Sequence, residues 1–290
     1  MSSAFVLIDK PTGITSFRAL GAVKKQFGTK RVGHAGTLDM AASGLVVAAL
    51  GKCTRLLPYV EAQEKIYSFD LHLGISTDTL ELTGNILRKD DKAVRTVAEV
   101  DAVLRNFTGE IEQVPPVFSA IKINGKRASD LAMKGLDVDL SSRKVFIREL
   151  LLREATQPKI FRILCKCSKG TYIRSLARDI AEKLGTCGVA GCIRRLAIGG
   201  ISVELASDRL ILPQELLKWE IADVKEEEAR KILCGMPVVV ACGQRLTAGG
   251  NPVFVSCNGQ IIAAAEVQNG YLLPKFQLSD VFFSKLESIC

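Results

Sequence analysis

Three places in the sequence combine residue types and spacing that could do chemistry on a ligand. The first is Arg31-Val32-Gly33-His34-Ala35-Gly36-Thr37-Leu38-Asp39, continued by Met40-Ala41-Ala42-Ser43-Gly44, in which glycines at 33, 36 and 44 surround one acidic side chain. Glycine backbone takes positive φ and approaches a ligand closely, so Asp39 could be held out as a nucleophile or general base. Gly and Asp also crowd ordinary tight turns for conformational reasons, and a plain turn fits the same residues. The second place is Lys169-Gly170-Thr171-Tyr172-Ile173-Arg174, where an alternating run passes through glycine into helical spacing. Tyr172 and Arg174 then fall at a helix N-terminus, a setting suited to anions and active-site side chains. The third is Tyr67, at the start of an alternating run; a strand tyrosine usually packs in a core, and its ring can also stack on a flat ligand. His34 fits a turn histidine bonded to backbone as readily as a ligand contact.

Metal chemistry finds little support. Glu61 and Glu64, the acids that follow Asp39, fall on a helix beyond the next strand, so no close second carboxylate accompanies it for a metal-dependent nuclease. His34 and His72 are the sole histidines and no cysteine spacing is of the zinc type, so no metal site is expected. Nine cysteines in 290 residues read as reduced thiols of a cytoplasmic protein.

The elements that must position these residues follow from periodicity. Phe5 to Asp9 reads as a strand, and Ser16 as the cap of a helix with Phe17, Leu20, Val23 and Phe27 on one stripe until Gly28. Leu45 to Leu50 is a buried strand, followed by a helix from Gly51 to about Gln63, and Lys65 to Leu73 alternates. Thr96 with Glu99 makes a capping box for a structural helix closed by Gly109. Pro115 and Pro116 hold their segment extended. Phe161 to Ser168 is a strand and Ile173 to Leu184 a helix ending at Gly185, after which Gly185 to Gly191 reads as a glycine- and cysteine-rich loop. Leu210 to Trp219 and Val224 to Leu233 read as helices, and the short alternating runs after Pro237 as a small all-β appendage. The expected division is 1–230 and 231–290.

Hydrophobic content of 48% and charged content of 24% are those of a globular protein. A net charge of +8, from 39 basic against 31 acidic residues, favours an anionic partner. Lys24, Lys25, Lys30 and Arg31 fit either a solvated helix end or a phosphate-binding patch. No run of about 18 apolar residues occurs and no basic region precedes an apolar run at the N-terminus, so neither membrane insertion nor secretion is expected.

Several of these segments carry a resemblance. The run His34-Ala35-Gly36-Thr37-Leu38-Asp39 to Gly44 resembles the GHxGTLDxxAxG signature of the TruB family of RNA pseudouridine synthases. Asp9-Lys10-Pro11 to Ser16 resembles that family's DKPxGxTS motif, Lys65 to Tyr67 its KxY motif, and Thr77 to Gly84 its TDTxDxxG loop. Gln113 to Arg127 resembles QxPPxxSAxKxxGxR, Cys167 to Asp179 resembles CSxGTYIRxLxxD, and Ile193-Arg194-Arg195-Leu196 resembles the LRR segment with Ile193 for leucine. The likeness runs from about residue 5 to about 205. It implies an α+β fold, with a mixed, mostly antiparallel central sheet flanked by helices and a small C-terminal β module of PUA-like kind.

The implied activity is isomerisation of uridine to pseudouridine at position 55 in the T-loop of tRNA, with no cofactor and no metal. Asp39 would be the catalytic carboxylate and Arg174 its partner, a guanidinium suited to bidentate pairing. Tyr67 would stack on the uracil, and Tyr172 would pack beneath it as candidate base for the C5 proton. His34 would fill the place the base vacates. Lys10, Lys169 and Ile193 are implied to face substrate or RNA. The implied partner is the tRNA T-stem-loop, with no obligatory protein partner, no membrane, and a cytoplasmic monomer as family default. A guide-RNA-dependent relative is the alternative within the class, and a non-catalytic RNA-binding or folding protein the alternative outside it. Asp39, Tyr67, Tyr172 and Arg174 are all intact, a combination that binding alone does not need. Ala35, Met40, Glu81, Ser129 and Met133 depart from the family pattern.

Overall fold

Alternation of apolar residues, read along the chain, builds one large sheet with different layers on its two faces. In the computed structural model the residues described are 3–119, 121–123, 125–136, 138–240, 246 and 252–279. The first half comprises β1 (Phe5–Lys10), α1 (Ser16–Phe27), β2 (Val32–Ala35), β3 (Ser43–Leu50), α2 (Leu57–Ala62), β4 (Lys65–Leu73), β5 (Ile75–Thr77), β6 (Ile86–Lys89), α3 (Val97–Leu104) and β7 (Gly109–Gln113). There follow β8 (Lys122–Ile123), β9 (Lys126–Arg127), α4 (Ala128–Ala132), β10 (Arg143–Gln157), β11 (Ile160–Cys167), α5 (Ile173–Lys183), β12 (Gly188–Ile198), β13 (Ile201–Ser202), β14 (Ser207–Ile211) and α6 (Pro213–Leu216). The last part holds β15 (Ile221–Asp223), α7 (Glu226–Leu233), β16 (Val238–Val239), β17 (Val253–Cys257), β18 (Gln260–Gln268) and β19 (Tyr271–Gln277).

The main sheet runs β14-β1-β3-β12-β4-β11-β10-β7, with β2 and β13 paired to its side. Its pairs are antiparallel except β3 with β12, so the mixed, mostly antiparallel sheet expected from the resemblance is the one found. On one face Tyr67, Phe69, Leu71 and Leu73 of β4 pack with Ile163 and Cys165 of β11 under α3 and α5. On the other face Phe5, Leu7, Leu45 and Val47 meet Val60 of α2 and, from the second sheet, Phe254 and Ala264. Among the described residues no helix is long and apolar enough to cross a membrane.

Several expectations need correction. The cap of α1 is Thr15, whose side chain accepts from Arg18 N–H, while Ser16 is buried and used elsewhere. Gly185 to Gly191 is not a loop throughout: β12 begins at Gly188 and lies at the centre of the sheet between β3 and β4. Its glycines serve close approach rather than a turn, because a Cβ on Gly188 would lie 2.6 Å from the Ala181 side chain. Leu210 to Trp219 is a strand end and the short α6, since Pro213 stops β14 and opens a helix at its first position. The second sheet, β15-β17-β18-β19-β16, already includes Ile221–Asp223, and α7 packs in its core through Ala229, Ile232 and Leu233. The change of sheet therefore precedes the expected division at 230/231.

Candidate active site

The loop that carries Asp39 is held from three sides. Ser16 Oγ accepts from Leu38 N–H at 2.9 Å and donates to Leu38 C=O at 3.1 Å, Gly13 N–H donates to Met40 C=O at 2.8 Å, and Lys10 Nζ donates to Ala42 C=O at 2.6 Å. The third side is Arg195 of β12, which donates through Nη2 to Gly36 C=O at 2.9 Å and through Nε to Leu45 C=O at 2.7 Å. Arg195 pairs with Gly44 on β3 and with Tyr67 on β4. A Cβ on Gly44, whose φ is +105°, would fall 2.2 Å from the Arg195 carbonyl oxygen, so only glycine lets the two strands meet there. The Arg195 guanidinium also lies near the Tyr67 hydroxyl. Burial pushes the Tyr67 phenol up, and that guanidinium opposes the shift.

Arg174 approaches from α5. Gln113 clasps the backbone of Tyr172, accepting from its N–H at 2.8 Å and donating to its C=O at 3.2 Å, and Ser175 Oγ donates to Val114 C=O at 2.8 Å. These bonds fasten the proline segment to the helix start. Arg174 itself, with a side chain 4% exposed, donates to Thr79 C=O and Phe118 C=O at 3.0 and 2.9 Å through its two terminal nitrogens. Its Nε stands 3.0 Å from Asp39 Oδ2, out of line for a hydrogen bond, so the contact is an ion pair. The pair is therefore made through Nε alone and is not bidentate: backbone carbonyls have taken the fork. Asp39 remains 42% exposed and faces the cleft.

Glu81 is the second correction at this site. Its Oε1 lies 3.5 Å from Arg174 Nε, so folding does bring another carboxylate near Asp39. Burial is the main cause raising the Glu81 carboxyl, Asp39 adds to it, and Arg174 works against both. Two acids thus share one guanidinium. Among the described residues no three His, Cys, Asp or Glu side chains gather as a metal site.

These groups border a cleft of about 290 Å³ lined by Asp39, Tyr67, Tyr172, Arg174, Lys169 and Ile193, among others. Six of the eight expected site residues therefore converge. Tyr172 lies under the Arg143 guanidinium at 5.4 Å, Lys169 is exposed at the rim, and Ile193 is buried in the wall. The other two stand apart. Lys10 is fully buried and donates to the carbonyls of Pro11, Ile14 and Ala42, so it staples the Asp39 loop and offers no charge to RNA. His34, on β2, is half-buried outside the cleft wall; burial first, then the Arg195 cation, lower its imidazole and favour the neutral form.

Two members of the site were not picked out from sequence. Arg195 is 1% exposed, and Lys65, 5% exposed in the cleft wall, donates to Glu61 C=O and to Gln63 C=O at 2.7 Å. Burial brings the Lys65 ammonium down to about 8. The signal for both was a cation on an otherwise apolar strand face, which must be satisfied by backbone acceptors if it is buried. Of the departures, Met40 and Met133 are exposed and Ala35 is core, while Ser129 lies on α4.

Comparison with known proteins agrees with this geometry. Residues 24–173 match the TruB family pseudouridylate synthase N-terminal domain. The chain is 36% identical over 288 residues to the tRNA pseudouridine synthase B of Cereibacter sphaeroides, covering 94% of this chain and 95% of that protein. It is 35% identical over 302 residues to the protein of the same name from Caulobacter vibrioides, covering 96% and 97%. Its fold is similar to that in a crystal structure of a Cbf5-Nop10-Gar1 complex, with a TM-score of 0.69 at 19% identity over 95% of this chain and 85% of that one. Matched domain, full-length relatives and fold converge, and the chain belongs to the TruB family of pseudouridylate synthases.

Proposed function

We propose that this chain isomerises uridine to pseudouridine at position 55 in the T-loop of tRNA. The observation that carries the reading is Asp39, ion-paired to a buried Arg174 and opening onto a cleft flanked by Tyr67 and Tyr172. The relatives' name, tRNA pseudouridine synthase B, supports tRNA as the substrate class. The reaction breaks the bond from ribose C1′ to uracil N1, turns the base and rejoins it through C5, so it calls for a carboxylate beside C1′ and C6. Attack at C1′, attack at C6 and glycal formation all use that carboxylate as its anion, and the buried Arg174, held by two backbone carbonyls, stands beside it to aim it.

A uridine stacked inside a folded loop cannot reach Asp39, so it is flipped out at a cost of a few kcal/mol, offset by stacking on the Tyr67 ring. Tyr172 is the candidate for taking the C5 proton, and Lys169 at the rim for meeting a phosphate. The second sheet, in the place of a PUA-like module, would lengthen the RNA-binding surface. The protein acts as a cytoplasmic monomer without a protein partner. Incubation with an unmodified tRNA transcript, followed by mapping of pseudouridine, tests the reading. Conversion at position 55, absent from a transcript with cytidine there, is expected; modification elsewhere, or none, would contradict it.

A further inference from the structure

Ser119 is 6% exposed and its Oγ is buried without a hydrogen-bond partner. A hydroxyl withdrawn from water and left unpaired is costly, and native structures rarely keep one without a use. Its neighbours are all committed. Ser119 N–H donates to Val117 C=O at 2.9 Å, Ser129 N–H donates to Ser119 C=O at 3.3 Å, and the preceding carbonyl, of Phe118, holds Arg174. The residue is thus fixed relative to the Arg174–Asp39 pair and belongs to the wall of the same cleft, with its Oγ just beneath the surface.

The two arginines of the wall are already engaged with the protein. Arg174 donates from each terminal nitrogen to a backbone carbonyl, and Arg195 holds Gly36 and Leu45. Among the described residues the other unpartnered neutral side chains, those of His34, Gln63, His72 and Gln214, do not line the cleft. A neutral hydroxyl donates well to a carbonyl oxygen, and uracil carries two.

We propose that Ser119 is a substrate-binding residue whose hydroxyl donates to a carbonyl of the flipped uracil. The inference rests on the pseudouridine synthase reading given above. Because Oγ has no partner in the free protein, Ser119→Ala is expected to keep or raise the thermal midpoint while lowering kcat/KM on tRNA by about tenfold or more. Transcripts carrying 2-thiouridine or 4-thiouridine at position 55, whose sulfur is a weaker acceptor, complete a double-mutant cycle with the wild type and Ser119→Ala.

Loss of the thio effect in Ser119→Ala for one of the two transcripts is the expected result, and names the carbonyl. Additive losses on both would overturn the contact. So would an unchanged kcat/KM, or a fall matched by a lower midpoint, which would mark the hydroxyl as structural. If the wild type makes no pseudouridine in the unmodified transcript, the functional reading itself fails; if it does and the cycle is additive, only this inference fails.

Discussion

Arg195 and Lys65 set the cost of building the site at the scale of single residues. Both are cations buried in the floor of the cleft and balanced by main-chain carbonyls rather than by acids. Arg195→Met removes the donors to Leu45 and Gly36 and strands those carbonyls, so it should destabilise the protein by about 3 kcal/mol in chemical denaturation. For Lys65 the sign follows from its ammonium being lowered to about 8 against an ordinary 10.5. Between these values the unfolded chain binds the proton more tightly, so this group's contribution to stability rises with pH from about 8 to about 10.5. Denaturation at several pH values should show that rise in the wild type and lose it in Lys65→Met. An equal slope in both would contradict the assignment. The sequence made Asp39, Tyr67, Tyr172 and Arg174 legible because each sits at a recognisable break in periodicity or in a motif. Arg195 stood in a recognised motif, but its role was hidden, because its acceptors, Gly36 and Leu45, are distant in sequence.

Strands β3 and β12 decide the outcome at the scale of elements. Their parallel contact brings Gly44 against Arg195 and so couples the Asp39 loop to the row that carries Tyr67. Gly44→Ala combines a backbone collision with a left-handed φ, and a loss of at least about 3 kcal/mol is expected, read as a lower denaturation midpoint. A midpoint equal to that of the wild type would count against the close approach. The same contact explains why β12 escaped sequence reading. Gly188 and Gly191 look like turn residues, whereas in the sheet they leave room for Ala181 and His72. Strands β4 and β11, whose alternation is unbroken by glycine, were found with nearly their observed bounds. Helix α5 was likewise legible from its apolar spacing and the glycine at its end.

The two sheets are joined by aromatic packing at the scale of the whole molecule. Tyr59 stands edge-on to Trp219 at 4.8 Å, and Trp219 lies 4.9 Å from Phe254 of the second sheet. Trp219 is the single tryptophan of the chain, so its fluorescence reports this junction. Unfolding followed by that fluorescence and by far-ultraviolet circular dichroism should coincide if the sheets unfold together. Trp219→Ala should lower stability by about 3 kcal/mol. Separate transitions would show two independent units. The later boundary expected from sequence has a simple cause: β15 is three residues long and pairs with β17 some thirty positions downstream, a contact without local signature. The excess of basic residues was legible at this scale from composition, and binding of tRNA should weaken linearly in the logarithm of salt concentration.

Single-turnover formation of pseudouridine at position 55 by the wild type and by Asp39→Asn, with tRNA affinity and thermal midpoint measured for both, bears most directly on the chemistry assigned to the Arg174-held carboxylate. Conversion by the wild type, with a rate at least about a thousandfold lower in a folded, tRNA-binding Asp39→Asn, is the expected result. Comparable rates in the two proteins would contradict it.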